Sequence, residues 1–591
     1  QLLSQRNPDD ADFKNGPADP ELHIYDLKAK TDRVFITGDD KLRGIQWTPD
    51  SRHLSFLSKR KDDKKTSLYT IAIDGGEAVK RLSFREDISV YSLAADGKKI
   101  AFLARDKKPS AQEKREKLGF DPEIFEEDWL TTRVYVTALD ADTSKLEPLN
   151  IKGHLSRVQW SPRAGDNRLM VAVAPNPGVD ASLVYQRLHI IDTAGNQLVA
   201  FNNPGKLGNS SWSPDGAWVA YTAGIDQHDP DESGFFIMDS MTGKGKDAMF
   251  GVQARVDAFS WKSPKELVAA VSVGADSNLV SFATNGARKD LPGNPELNYL
   301  EVDVSGGALV TAADSWKHPR ELFVNGQRVT NSNPWLQGKS LAKQELITHT
   351  ARDGVKLEGI LVHPLPGTVS GPAPLIMTVH GGPESHVDDG WVTAYSNPGQ
   401  VAAAQGYAVF YPNYRGSTGR GVEFANAGQG DAAGAEFDDL VDAVDHLVAQ
   451  GIADKDKVGV TGGSYGGYAT AWLSTRHSER FAAGVMFVGI SDKVSKVGTT
   501  DIPDEEFLVH ARKRPWEAFD FFAERSPIRY VEKARTPLLI MHGKDDPRVH
   551  PTQSMELFRF LKVIDQTPVR LVLYPGEGHG NRKAAARYDY N

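Results

Sequence analysis

The run VGVTGGSYGGYAT, residues 458–470, decides how the C-terminal part of this 591-residue chain is read. An apolar, β-branched run (KVGVTG) precedes a helix-forming one (YATAWLSTR), which predicts a strand, a tight turn and a helix. At the turn stands Gly462-Gly463-Ser464-Tyr465-Gly466, a G-x-S-x-G that occurs nowhere else in the sequence. Such a turn lifts a serine hydroxyl above the edge of a sheet, and its flanking glycines are needed because a Cβ would meet neighbouring backbone. The helix that follows presents its N-terminus to any negative charge that develops there.

A serine hydroxyl is a weak nucleophile and needs a base and an orienting carboxylate, here expected downstream in the order Ser, Asp, His. PLLIM runs into HGKDDPRVHPTQ, which offers Asp545 and Asp546, and VRLVLYPG runs into EGHG, which offers His579. A tetrahedral intermediate also needs two backbone N–H donors. Tyr465, next to the serine, supplies one, and LIMTVH leads straight into His380-Gly381-Gly382-Pro383 for the other. Between these motifs, apolar runs at 375–380, 408–413, 484–490 and 569–574 read as strands. The stretch 436–450 reads as a helix, with Phe437, Leu440, Val441, Val444, Leu447 and Val448 on one face and Asp438, Asp439, Asp442 and Asp445 on the other. Strands alternating with helices predict a mostly parallel, doubly wound sheet over residues 341–591.

The first half is repetitive. A bulky residue, a Ser-Pro-Asp-Gly-like turn and an apolar run recur as WTPDSRHLSFLS from Trp47, LAADGKKIAFLA from Leu93, WSPRAGDNRLMVAVA from Trp160, WSPDGAWVAYTA from Trp212, WKSPKELVAAVS from Trp261 and VDVSGGALVTAA from Val302. Pro pre-sets the turn, Asp bonds its own backbone and Gly supplies positive φ. Spacings of about 40–50 residues, each holding several strands, match one propeller blade per repeat. With a further strand near residues 21–27, a seven-bladed β-propeller is expected over residues 1–340. A charged insertion at 107–130 reads as a surface excursion, or as a loop reaching toward an active site.

Composition narrows the chemistry. With 40% hydrophobic and 25% charged residues, disorder and collagen-like order are excluded, and no stretch approaches the ~20 uncharged apolar residues of a membrane span. The net charge of −9 argues against a nucleic-acid partner. Zero cysteines exclude disulfides, thiolate metal sites and a cysteine nucleophile. No metal and no cofactor are expected. A cysteine-free sequence that begins at Gln1 without an initiator Met favours a periplasmic or secreted protein over a cytoplasmic one.

HGGP, YPNYRGSTGRG (411–421), GGSYGGY, HGKDDPRVHPTQ and GEGHG together resemble the prolyl oligopeptidase family of serine peptidases, in which a β-propeller caps an α/β-hydrolase domain. The resemblance implies a catalytic triad of Ser464, Asp546 (rather than Asp545) and His579, and an oxyanion hole from the amides of Gly382 and Tyr465. It also implies that Arg548 holds the substrate's P2 carbonyl and that Tyr465, Val549 and Ile490 wall the S1 pocket. Dipeptidyl peptidases of the family anchor the substrate's free amine with acidic propeller residues, and Glu126 and Glu127 in the insertion are the local candidates. The segment DKVSKVGTTDIPDEEFLVH (492–510) is more like bacterial dipeptidyl peptidases of the fifth type and acylaminoacyl peptidases than like prolyl oligopeptidase itself. The expectation is therefore release of N-terminal dipeptides with a small or apolar P1 residue from short peptides. The runner-up is acylaminoacyl or oligopeptide cleavage, and the rival class is a catalytically inactive peptide-binding propeller protein. A homodimer is the assembly considered. In one respect the sequence departs from the family: it ends 12 residues past His579, where relatives continue into a C-terminal helix that covers the sheet.

Overall fold

The computed structural model describes residues 15–16, 20–38, 41–60 and 62–591. Each recurring phrase folds as a hairpin between the first two strands of an antiparallel sheet. His53–Ser58, Lys99–Arg105, Arg168–Ala174, Trp218–Ala223, Glu266–Val273 and Ala308–Ser315 are the second strands. The turn chemistry is as the sequence implies: the carboxylates of Asp50, Asp96, Asp166 and Asp215 each accept the backbone N–H two residues on, at 2.8–3.1 Å.

These sheets form six blades, at residues 43–82, 88–138, 154–200, 207–247, 255–290 and 298–328, all four-stranded except the three-stranded second. The expected seventh blade is a correction. Among the described residues Leu22–Asp26 pairs only with Thr31–Ile36, making a two-stranded ribbon. Its Leu22, Ile24, Phe35 and Ile36 pack on Leu54, Phe56, Tyr69 and Ile71 of the first blade. The ribbon covers one face of that blade and builds no sheet of its own beyond it.

Why the inner strands are apolar throughout follows from how blades stack. Side chains alternate across a strand, and a blade between two others meets a neighbour on both faces. Leu169 and Val171 pack toward the second blade with Ala101 and Leu103. Met170 and Ala172, between and beside them, pack toward the fourth blade with Val219 and Tyr221.

After the last propeller strand, Gln327–Arg328, the chain enters one eight-stranded sheet. Its strands, numbered here within that sheet, are β1 Gln344–Thr350, β2 Lys356–Val362, β3 Ala373–Val379, β4 Ala408–Asn413, β5 Ala453–Gly463, β6 Ala483–Phe487, β7 Leu538–Gly543 and β8 Val569–Tyr574. They lie in the order β1-β2-β4-β3-β5-β6-β7-β8. β2 runs antiparallel to both its neighbours and the other pairings are parallel.

Alternation again sorts the faces. Met486 and Ile540 meet Ala471, Leu557 and Leu561 from the helices Tyr465–Thr475 and Thr552–Ile564. Val485, Phe487 and Met541 turn the other way and meet Ala586 and Tyr590. Those two belong to a short helix, Ala584–Tyr590, which covers the sheet within the few residues beyond His579, with the Tyr590 and Phe487 rings 4.7 Å apart. Among the described residues no helix is long and apolar enough to cross a membrane.

Propeller and hydrolase domain meet through buried polar contacts. The Asp180 carboxylate accepts the backbone N–H groups of Asp504 and Glu505 at 2.5 and 3.0 Å. Lys206 of the propeller forms an ion pair with Glu505, both side chains about nine-tenths buried. Gly274 donates its N–H to the carbonyl of Gly419 at 2.8 Å.

Candidate active site

Parallel strands bring three loops to one sheet edge. Gly463 of β5 is in register with Phe487 of β6, Phe487 with Met541 of β7, and Gly543 of β7 with Tyr574 of β8. Ser464, Asp546 and His579 follow Gly463, Gly543 and Tyr574 within five residues, so all three rise from the C-terminal ends of neighbouring strands.

Ser464 sits between β5 and the helix Tyr465–Thr475 with φ 59° and ψ −118°, a strained conformation for a residue with a side chain. Its N–H donates to the carbonyl of Phe487 at 3.1 Å. The glycines around it are required by close approach. A Cβ on Gly462 would lie 2.5 Å from the Val379 carbonyl oxygen, and one on Gly466 would lie 2.0 Å from the same atom. Helix and strand can therefore cross directly over β3 only without those side chains. Among the described residues the Ser464 hydroxyl has no hydrogen-bond partner.

The Asp546 carboxylate is fully buried and takes four donors. Oδ1 accepts the N–H groups of Arg548 (2.9 Å) and Val549 (3.2 Å). Oδ2 accepts Nδ1–H of His579 at 2.7 Å and faces Nε2 of His542 at 3.2 Å. Burial alone would push this carboxyl up, but the hydrogen bonds from His542 and His579 outweigh it and hold it well below the usual carboxylate range. An ionised Asp546 puts the His579 proton on Nδ1 and leaves Nε2 as the free acceptor. Asp545 instead donates its N–H to the Glu577 carbonyl at 2.9 Å, and the Lys544 N–H bonds the Tyr574 carbonyl at 2.9 Å. These bonds lock the loops after β7 and β8 together. The buried Glu577 carboxylate holds the far side of the His579 loop by accepting the N–H groups of Arg582 and Lys583 at 2.8 and 3.0 Å.

The HGGP turn lies against the elbow: a Cβ on Gly381 would be 3.2 Å from Cβ of Ser464 and 3.8 Å from the Tyr465 nitrogen. The YRGS segment supports that turn. Tyr414 donates its hydroxyl to the His380 carbonyl at 3.0 Å, its ring stacks on the His380 imidazole at 4.4 Å, and His380 Nε2 bonds the Ser417 hydroxyl at 2.9 Å. Neither the Gly382 nor the Tyr465 N–H is consumed by a backbone hydrogen bond among the described residues.

Tyr465, Ile490 and Val549 are buried in one cluster, and the Tyr465 hydroxyl donates to buried Glu436 at 3.1 Å. Arg548 is half-buried, its Nε held by Asp501 at 2.6 Å. Glu126 and Glu127 are exposed, and neither carboxylate is bonded or ion-paired among the described residues. Their insertion nonetheless lies on the hydrolase side of the propeller. The Trp129 ring is 3.3 Å from where a Cβ on Gly178 would be, and Gly178 precedes the helix Val179–Val184 that carries Asp180.

Sequence reasoning missed several groups here. His510, in contact with Glu384 at 2.7 Å and Glu506 at 3.1 Å, ties the segment after the HGGP turn into a buried ion network with Lys493 and Lys496. Those charges stood in a segment read only for family likeness, and their burial was the signal that a sequence does not carry. A polar cavity of about 280 Å³ opens beside Glu384, between that segment and propeller residues Arg255, Asp257 and Asn298.

Residues 393–591 match the model of the prolyl oligopeptidase family. The chain is 37% identical over 264 residues to dipeptidyl aminopeptidase BIII of Pseudoxanthomonas mexicana, a match covering 43% of this chain and 38% of that enzyme's length. It is 27% identical over 620 residues to the uncharacterized peptidase YuxL of Bacillus subtilis, covering 94% of this chain and 89% of the relative. In fold it is similar to an acylaminoacyl peptidase solved with Z-Gly-Gly-Phe-chloromethyl ketone. The TM-score is 0.80 at 19% identity, over 97% of this chain and 90% of that one.

Proposed function

We propose that this chain, whose residues 393–591 match the model of the prolyl oligopeptidase family, is a serine exopeptidase that releases N-terminal dipeptides with a small or apolar P1 residue from short peptides. The observation that carries this reading is the 2.7 Å bond from His579 Nδ1 to buried Asp546, which leaves Nε2 free at the sheet edge that bears the strained Ser464.

In this reading His579 Nε2 takes the Ser464 proton as Oγ attacks the peptide carbonyl, and Asp546 stabilises the imidazolium that results. The oxyanion is received by the amides of Gly382 and Tyr465, each worth about 3–4 kcal/mol by analogy with other hydrolases. His579 then protonates the leaving amine, and water, activated by the same imidazole, hydrolyses the acyl-enzyme. The apolar cluster of Tyr465, Val549 and Ile490 supports an apolar S1 wall. Asp501 keeps the Arg548 guanidinium fixed for a P2 carbonyl. The propeller, taken as residues 1–340, gates access to a catalytic domain of residues 341–591.

A second reading is cleavage after a blocked or longer N-terminus, as in an acylaminoacyl peptidase or oligopeptidase. The exposure of Glu126 and Glu127 favours it, since an ammonium anchor gains most where its carboxylates are desolvated. A peptide series with free, acetylated and extended N-termini, read by mass spectrometry, separates the two. Two-residue release from free amines alone supports the dipeptidyl reading. A Ser464→Ala enzyme that retained its peptidase activity would contradict both.

A further inference from the structure

His542, the penultimate residue of β7, is completely buried and belongs to none of the roles assigned above. Its surroundings fix its proton. The Val549 carbonyl, 2.7 Å from Nε2, can only accept, so Nε2 carries the hydrogen. Nδ1 is then the acceptor for the Ser554 hydroxyl at 2.6 Å. The same Nε2–H lies 3.2 Å from Oδ2 of Asp546, the oxygen that also takes His579.

We propose that His542 is a positioning residue of the hydrolytic reaction. Its Nε2–H, shared between the Val549 carbonyl and Asp546, fixes the carboxylate against the rigid sheet and limits the negative charge that Asp546 presents to His579. The proposal rests on Asp546 and His579 acting together as read above.

The two amides on Oδ1 belong to Arg548 and Val549, in the same loop as Asp546, so they hold the carboxylate to its own turn. His542 joins that turn to β7 at two points: the Val549 carbonyl and the carboxylate itself. Ser554, from the helix Thr552–Ile564, prevents the imidazole from turning its bare nitrogen toward Asp546. Oδ2 thereby divides its negative charge between two imidazole donors, and both the direction and the basicity felt by His579 follow from that division.

The test measures kcat, KM and the pH profile of kcat/KM on a chromogenic dipeptidyl amide. His542→Leu is expected to lower kcat about 10- to 100-fold, the scale of a small misplacement of reacting groups, with KM little changed. The acid limb of kcat/KM is expected to move to higher pH, because Asp546 relieved of one donor holds the His579 proton more tightly. His542→Gln, which can donate from nearly the same point, is expected to restore most of kcat. A folded His542→Leu enzyme with wild-type kcat and an unmoved acid limb overturns the proposal, as does a Gln variant no better than Leu. Should His542→Leu not fold, Ser554→Ala is expected to shift the acid limb in the same direction with a smaller fall in kcat, and an unmoved limb there overturns it. Ser464→Ala and Asp546→Asn, assayed in parallel, separate the two levels. If they keep activity, the triad reading fails and His542 with it. If they are inactive while His542→Leu behaves as wild type, only the role of His542 fails.

Discussion

In the propeller, apolar side chains are spent on the seams between neighbouring blades, one after another. Phe282, for example, lies between the fourth and fifth blades with Phe235 and Leu267. The hydrolase sheet, by contrast, collects its strained and charged groups at one edge, where Ser464 takes a positive φ and the Asp546 carboxylate gathers four donors. Burial that is spread evenly gives a stable frame without a site. Burial that is uneven gives chemistry, because a desolvated carboxylate or a strained turn is tolerated only where surrounding groups over-determine it.

That contrast can be broken by experiment. Asp546→Asn is expected to lower kcat by about 10⁴-fold with the fold intact, because the imidazole loses its enforced tautomer; steady-state kinetics beside a melting curve checks both halves. Phe282→Ala should do the reverse. Opening one seam costs about 3–5 kcal/mol of stability, visible in denaturant unfolding, while kcat per folded molecule stays at the wild-type value. A fall in kcat comparable with that of Asp546→Asn would erase the distinction.

A third variant sharpens the comparison where the two regions meet. Lys206→Met leaves Glu505 desolvated and unpaired, and breaking such a pair costs about 3 kcal/mol or more. Adding Glu505→Gln should recover most of that loss in the same unfolding assay.

The smallest effect is on pH dependence. His510 is pushed down by burial, but its contacts with Glu384 and Glu506 outweigh this and raise it to about 9. Its contribution to stability is complete below its ordinary value of 6.5 and is lost as pH rises through about 9. Its partner Glu384 is pushed up by burial, but the charges of His510 and Lys206 bring it to about 2, so its contribution is complete above its ordinary value of 4.5 and is lost as pH falls from there through about 2. The Tm advantage of wild type over His510→Gln should therefore be flat near pH 5–6 and shrink steadily between pH 6.5 and 10.

How much of this was legible in the sequence depends on whether the signal was local. The hairpin phrase is local: its Asp and Gly act within four residues, and its six occurrences match the six blades. The expectation of a seventh blade rests on one strand near residues 21–27, and a strand's partners are not local, so sequence alone does not tell the ribbon from a blade edge. The elbow was legible because Gly462 and Gly466 record a close approach in residue type. The roles given to Asp546 and Gly382 came from resemblance to a family. Nothing in HGKDDPRVH alone says that His542 would face the carboxylate four residues on, because that depends on where β7 ends and the loop doubles back. Glu384, His510 and Lys206 lie far apart in sequence, and only their shared burial reveals them as one cluster.

The cap that Asp180 places on the amides of Asp504 and Glu505 makes each half of this molecule a poor substitute for any other. A catalytic half excised at the linker would carry two amides aimed at nothing and an orphaned glutamate. A chimera that borrowed its blades from a relative would inherit the same deficit unless the equivalents of Asp180 and Lys206 came with them. Transplanting a propeller to alter substrate choice is therefore a problem of matching two side chains on one rim before it is a problem of pore size.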